Sequence, residues 1–93
     1  MKIAVLKLKL YAPWVHSLKE KRMIVKSLLA KLRNHFQVSA AEVEDQGIHQ
    51  SIVIGVAAIV PHSTQADSLM DQIVSFVEQN TEAEIVLEER EIR

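Results

Sequence analysis

The chain has 93 residues, of which 48% are hydrophobic and 25% are charged. This length allows one modest hydrophobic core, so any function must lie on the surface of a single domain, residues 1–93. Cysteine is absent, which excludes disulfides, thiolate chemistry and cysteine-ligated metal sites. Three lysines, Lys2, Lys7 and Lys9, interrupt the apolar residues at the start, so a signal peptide or membrane span is not expected there. We therefore expect a cytoplasmic protein that does not bind membranes.

The charges are distributed unevenly along the chain. Residues 1–37 contain nine Lys/Arg and a single acid, Glu20, whereas residues 38–93 contain two Lys/Arg and eleven acids. The two parts carry net charges of +8 and −9, which add to the formal net charge of −1. Such asymmetry is typical of a surface for nucleic acid or an acidic partner. It is equally typical of a basic first strand whose charges pair with an acidic neighbouring strand.

The first third of the chain predicts a strand followed by a helix. Within residues 3–11, Leu6, Leu8 and Leu10 alternate with Lys7 and Lys9, the two-residue period of a half-buried strand. After a turn at Pro13, the stretch from Ser17 to Glu20 reads S-L-K-E and matches a capping box. The apolar stripe that follows predicts a helix from Leu18 to about His35.

The remaining chain predicts a hairpin, a second helix and a closing strand. Residues 38–44 and 50–60 read as strands joined by the turn residues Asp-Gln-Gly at 45–47. Pro61 ends the third strand, and Ser63 or Thr64 is expected to cap a helix that runs until Asn80. A fourth strand begins at Ile85.

The order β-α-β-β-α-β predicts an α+β, ferredoxin-like fold, an antiparallel sheet with two helices on one face and strand four beside strand one. The third strand is apolar on both sides, although the helices cover only one. A strand that is apolar on both sides is usually covered on both sides. We therefore expect a protein interface, most simply in a homodimer, on its other face. Its residues are Val53, Gly55, Ala57 and Ile59.

The first helix carries a row of cations on the flank of its apolar stripe. On a helical wheel these cations lie within about 60° of one another and extend over roughly 21 Å. We call them the basic ridge: Lys19, Arg22, Lys26 and Arg33. Cations in such a row can contact several phosphates of a folded RNA. A solvated helix face has the same appearance, and the sequence leaves that alternative open.

The start of the same helix is a candidate anion site. Free backbone N–H groups and the positive end of the helix dipole favour a phosphate near Ser17, with Lys19 and Lys21 beside it. Trp14 is expected to cover the end of the core next to Pro13, and a binding role for its side chain is the alternative.

Three segments of the chain resemble the bacterial YlxP-like family of small proteins of unknown function. They read S-L-K-E-K-R at 17–22, V-S-A-A-E-V at 38–43 and G-V-A at 55–57. His49 departs from the pattern, because similar sequences often have an aromatic residue before Gln50. The resemblance implies a ferredoxin-like fold and genes that often lie beside those for translation initiation and ribosome maturation. It implies no established activity and no catalytic residues.

No catalytic, metal or cofactor site is expected. The four histidines, His16, His35, His49 and His62, are far apart in sequence and lack ligand spacing. Stacking aromatics for single-stranded RNA are missing from the first and third strands beyond Tyr11. Two hypotheses remain. One is a non-catalytic protein that binds the backbone of structured RNA, such as rRNA in a ribosomal subunit, and the other is an interaction or dimerisation module that uses the open sheet face.

Overall fold

The computed structural model describes all 93 residues and contains six secondary-structure elements. They are β1 (Lys2–Tyr11), α1 (Leu18–His35), β2 (Ser39–Glu44), β3 (Ser51–Val60), α2 (Ser63–Asn80) and β4 (Glu84–Ile92). The four strands form one antiparallel sheet in the order β2-β3-β1-β4. The predicted ferredoxin-like fold, with strand four beside strand one, is therefore confirmed.

The core lies between the sheet and the two helices. Alternate residues of β1 and β3 point toward the helices, as their two-residue period requires, and are buried. From the strands the core takes Leu6, Leu8, Leu10, Ile52, Ile54 and Val56, and from the helices it takes Val25, Leu28, Leu32, Met70, Ile73 and Val77. Burial of a side chain of this size stabilises a fold by about 1.5–3 kcal/mol before entropy is counted.

The helices begin in different ways. Ser17 caps α1 as predicted, because its Oγ accepts a hydrogen bond from the N–H of Glu20 at 3.1 Å. The prediction that Ser63 or Thr64 caps α2 is wrong. The N-cap position is held by His62, which makes no side-chain capping bond, so Ser63 lies one residue too late to serve as the cap.

The β2–β3 hairpin contains a bulge and a strained turn residue. The register shifts between Glu42 and Glu44, so Val43 is an extra residue in β2. The turn begins at Asp45, whose φ of 57° is left-handed, a conformation that Asp tolerates better than most residues. The glycine of the predicted turn, Gly47, has no positive φ.

The two helices cover opposite halves of the sheet. Helix α1 packs against β2, and α2 packs against β1 and β4. One side of the domain therefore carries the cations of α1, and the other side carries the acids of β4. Neither helix is long and apolar enough to cross a membrane.

Candidate functional site

The basic ridge is exposed along α1. All four of its cations are solvent-exposed, and none forms an ion pair with an acidic side chain. The helix holds Lys19 and Arg33 about 21 Å apart along its axis, at 1.5 Å per residue. The regular helix from Leu18 to His35 thus presents a row of unneutralised charge.

Arg33 attaches the C-terminal end of the ridge to the sheet. One guanidinium nitrogen donates a hydrogen bond to the carbonyl oxygen of Ala40 in β2 at 2.5 Å. A guanidinium has five N–H donors, so the remaining ones stay available to a ligand. The bond also identifies the β2 side of α1 as the flank on which the ridge lies.

Lys21 does not belong to an anion site, and that prediction is wrong. Its side chain is 1% exposed, and its Nζ donates hydrogen bonds to the carbonyl oxygens of Asp45 and Ile48, the latter at 2.7 Å. The Nζ also lies 3.0 Å from Glu42 Oε2. That contact is an ion pair without good hydrogen-bond alignment, since this oxygen accepts no hydrogen bond.

The sequence did contain a signal for this burial. Lys21 precedes Val25 by four residues and Leu28 by seven, so all three lie on the same face of the helix. Both of those apolar residues are in the core. A lysine in the middle of a buried stripe must find polar partners, and here the hairpin turn supplies them.

The helix start is also occupied by groups of the chain itself. The Oγ of Ser17 already accepts a bond from α1, and the carboxylate of Glu20 lies at the helix start, where it accepts a bond from the N–H of His16 at 3.3 Å. A carboxylate at this end of the helix already complements the positive dipole. The predicted anion site of Ser17, Lys19 and Lys21 is therefore not assembled, and Lys19 is the one lysine of the three residues that remains exposed.

The lysines of β1 form ion pairs with the hairpin. Lys7 Nζ lies 2.8 Å from Glu44 Oε2, and Lys9 Nζ lies 3.7 Å from Asp45 Oδ2. The hydrogen bond to Glu44 raises the pKa of Lys7, with smaller contributions from Glu44, Glu89 and Asp45 charges. The lysines of β1 therefore do form ion pairs within the chain. Their partners are acids of β2 and the hairpin turn rather than acids of β4.

The open sheet face differs from the predicted interface. Val53 is 1% exposed and already buried in the monomer. A Cβ on Gly55 would lie 3.0 Å from Val43 Cγ1, so the bulged residue of β2 covers that position. Ala57 and Ile59 remain accessible, and Ile59 is 71% exposed. The apolar strip is therefore reduced to one end of the sheet, where Ile59 lies opposite Ile3.

A groove of about 360 Å³ lies between the start of α1 and the end of α2. We call it the Trp14 groove, and it was not predicted from sequence. Trp14 covers less of the core than expected, since it is 39% exposed. The groove residues are Trp14, Met23, Ile24, Ser27, Leu28, Asn80, Thr81 and Glu82. They come from sequence positions so far apart that only the fold brings them together.

The histidines do not converge on one site. His35 stacks on Phe76 with ring centroids 4.6 Å apart and meets the edge of Phe36 at 4.7 Å. The structure contains no group of three or more potential metal ligands among His, Asp and Glu.

These features define a small ferredoxin-like α+β domain with a charged helix face. A de novo designed protein with the ferredoxin fold matches it with a TM-score of 0.65 at 14% identity, covering 100% of this chain and 86% of that chain. The match shows the fold alone.

Sequence comparison identifies the family. The model for a protein family of unknown function, DUF503, matches residues 3–90. The uncharacterized protein YlxP of Bacillus subtilis (strain 168) is 32% identical over 68 residues, which cover 73% of this chain and 74% of that protein. The chain therefore belongs to the YlxP-like family of small proteins of unknown function, and the resemblance noted in the sequence is confirmed.

Proposed function

We propose that this chain is a non-catalytic cytoplasmic protein that binds structured RNA through the basic ridge, in ribosome maturation or translation. One observation carries the proposal. Of the nine Lys/Arg in residues 1–37, three form ion pairs within the chain, and five of the other six lie on α1. Four of those five form the ridge, so the unneutralised charge is concentrated on one surface.

The form of the ridge favours contact with phosphates. Release of counterions from neutralised phosphates supplies most of the affinity in backbone recognition, and this term grows with the number of aligned cations. The open sheet face has no set of stacking aromatics such as single-stranded RNA requires. Recognition through backbone and shape is the mode that fits these residues. The link to ribosomes is supported by the gene neighbourhood that the family resemblance implies.

The proposal is tested by replacing the ridge cations Lys19, Arg22, Lys26 and Arg33 with glutamine. We expect weaker binding to fragments of rRNA, because the quadruple variant removes most of the unpaired charge of α1. The plot of log affinity against log salt should flatten by up to about three units. Fluorescence anisotropy with labelled RNA at four or five salt concentrations measures both effects.

Lys7 and Lys9 provide the matched control. Their charges are paired with Glu44 and Asp45, so their replacement by glutamine should change RNA affinity far less. Equal losses in the two variants, or a wild-type protein without salt-dependent affinity for rRNA, would show that the ridge is only a solvated helix face.

A second candidate function is self-association through the end of the open sheet face. It is favoured by the exposure of Ile59, which is paired across the sheet with the exposed Ile3. An apolar patch can contact a symmetry-related copy of itself around a two-fold axis. We expect Ile59→Glu to shift the protein toward the monomer in light scattering, with little change in folding because the side chain is exposed. A monomeric wild type at high micromolar concentration would refute this candidate.

A further inference from the structure

The backbone at Trp14 is anchored at the edge of the Trp14 groove. The N–H of Val15 donates to the carbonyl oxygen of Ala12 at 3.2 Å and closes a β-turn with Pro13 and Trp14 at its centre. Ala12 and Val15 are both fully buried, so the turn is anchored at its two ends. Proline at the second position of a turn limits the backbone further. The half-exposed indole is therefore presented by a fixed scaffold.

The groove combines apolar walls with a polar edge. Met23 is 66% exposed and faces the groove together with Trp14 and the half-buried Ile24. Asn80, Thr81 and Glu82 at the end of α2 supply the polar groups. The volume of about 360 Å³ suits a planar ring system with hydrogen-bonding groups on its rim, and a nucleobase has that description.

The Trp14 groove and the basic ridge lie on opposite flanks of α1, and Met23 lies between them. Met23 lies four residues after Lys19 and three before Lys26, so the three side chains are neighbours on the surface of α1. Both lysines are free of ion pairs. A nucleic-acid backbone on Lys19 and Lys26 would therefore be separated from the groove by the side chain of Met23, and a base that projects from this backbone would cross Met23 to enter the groove.

We propose that the Trp14 groove binds one unpaired nucleobase of the RNA that the ridge holds, with the base stacked on the indole of Trp14. The inference rests on the proposed function and deepens it, because it specifies folded RNA with a bulged or looped-out nucleotide as the ligand. Bases stack on aromatic side chains regardless of sequence, since every base has a π-face. A regular duplex has no base to offer and would bind through its backbone alone.

The charge at the groove fits the edge of a base better than a phosphate. Glu82 is exposed and forms no ion pair, and a carboxylate only accepts hydrogen bonds. It would repel a phosphate and accept bonds from the N–H groups of a base. The last turn of α2 contains no basic residue, so the negative end of the α2 dipole also disfavours a phosphate at the groove. The phosphates accordingly remain on the ridge, and the base enters the groove.

The test compares two RNA hairpins that differ by one bulged guanosine in the stem. Trp14 is the single tryptophan of the chain, so its fluorescence reports on the groove. We expect both hairpins to bind the wild type with similar salt dependence. Only the bulged hairpin should quench the tryptophan, and it should bind more tightly by about 5- to 150-fold, which corresponds to the contribution of one stacked base.

Two variants separate the groove from the ridge. Trp14→Leu should remove the preference for the bulged hairpin and leave the affinity for the regular stem unchanged. Met23→Ala changes an exposed side chain and should reduce the preference without affecting folding. Leu87→Ser, which changes an exposed side chain of β4 opposite Lys9 and outside the groove, is the control and should retain it.

The outcomes distinguish the two proposals. Equal binding of both hairpins without a change in fluorescence would overturn the groove and leave the ridge supported. Absence of salt-dependent binding to either hairpin would overturn the ridge, and the groove with it. A preference that persists in both Trp14→Leu and Met23→Ala would place the base elsewhere and overturn the groove.

Discussion

Lys21 and Lys26 are five residues apart on the same helix, and their surroundings are opposite. The ammonium of Lys21 is buried under the β2–β3 hairpin and is surrounded by three oxygens. The ammonium of Lys26 is exposed and unpaired. The two positions differ by 140° around a helix of 3.6 residues per turn. One lysine therefore stabilises the fold, whereas the other is available to a partner.

This comparison explains how the charge asymmetry of the chain divides. The acids of β2 and the hairpin, Glu42, Glu44 and Asp45, pair with three lysines of the basic part of the sequence. The cations on the exposed flank of α1 have no such neighbours. Net charge by segment thus overestimates the charge available for binding. On α1, the positive charge that remains available for binding depends on which side of the helix faces the sheet.

The largest expected effect is a loss of folding stability when Lys21, the buried lysine, is replaced. Lys21→Ala would leave the carboxylate of Glu42 buried without its partner and two hairpin carbonyls without a donor. Loss of one member of a buried pair costs about 3–5 kcal/mol. Because the Glu42 side chain is 19% exposed, we expect a value near the lower end, about 3 kcal/mol, in urea unfolding.

Lys26→Ala is the matched control for that substitution. It removes an exposed, unpaired lysine from the same helix, so the free energy of unfolding should change by less than about 0.5 kcal/mol. RNA affinity should respond in the reverse order, with a loss in Lys26→Ala and none in Lys21→Ala at a temperature where both variants are folded. Equal stability of the two variants would contradict the structural role of Lys21.

The sequence predicted the elements because their signals are local. A two-residue period, a capping box and an apolar helical stripe each depend on neighbouring residues, and the observed bounds of α1 begin and end where expected. The ridge was predictable for the same reason, since it lies on one regular helix. The extra residue Val43 was not, because a bulge changes the register by a single position. The burial of Val53 is likewise a property of the tertiary structure.

The segment S-L-K-E-K-R, on which the family resemblance depends most, has two physical roles. Ser17 and Glu20 organise the helix start, and Lys21 attaches the helix to the hairpin. Lys19 and Arg22 are exposed in the ridge. Half of the segment thus maintains the fold, and the remaining charges face solvent. A motif on which a resemblance depends need not be a binding motif throughout.

A smaller effect on folding stability is expected at Asp45, the turn residue whose carboxylate pairs with Lys9. The Oγ of Ser51 donates to its Oδ2 at 2.6 Å, and this bond is the main reason that the pKa of Asp45 lies below its ordinary value of 3.8. The charges of Lys9 and Lys21 act in the same direction. A carboxyl group with a lowered pKa binds its proton more weakly in the folded protein than in the unfolded chain.

The sign of the pH dependence follows directly. The contribution of Asp45 to stability is fully present above about pH 4 and is lost as the pH falls through the lower pKa of the folded state. Asp45→Asn keeps an acceptor for Ser51 and tolerates the left-handed φ but cannot titrate. Urea unfolding between pH 5 and pH 2 should therefore show the free energies of unfolding of the wild type and Asp45→Asn converging as the pH falls.

Ser51→Ala removes the main cause of the lowered pKa of Asp45. The free energy of unfolding of this variant should therefore depend less on pH than that of the wild type in the same range. If the wild type and Asp45→Asn lose stability in parallel, the carboxylate is not held by the turn, and the pairing of Lys9 with Asp45 adds nothing to the fold.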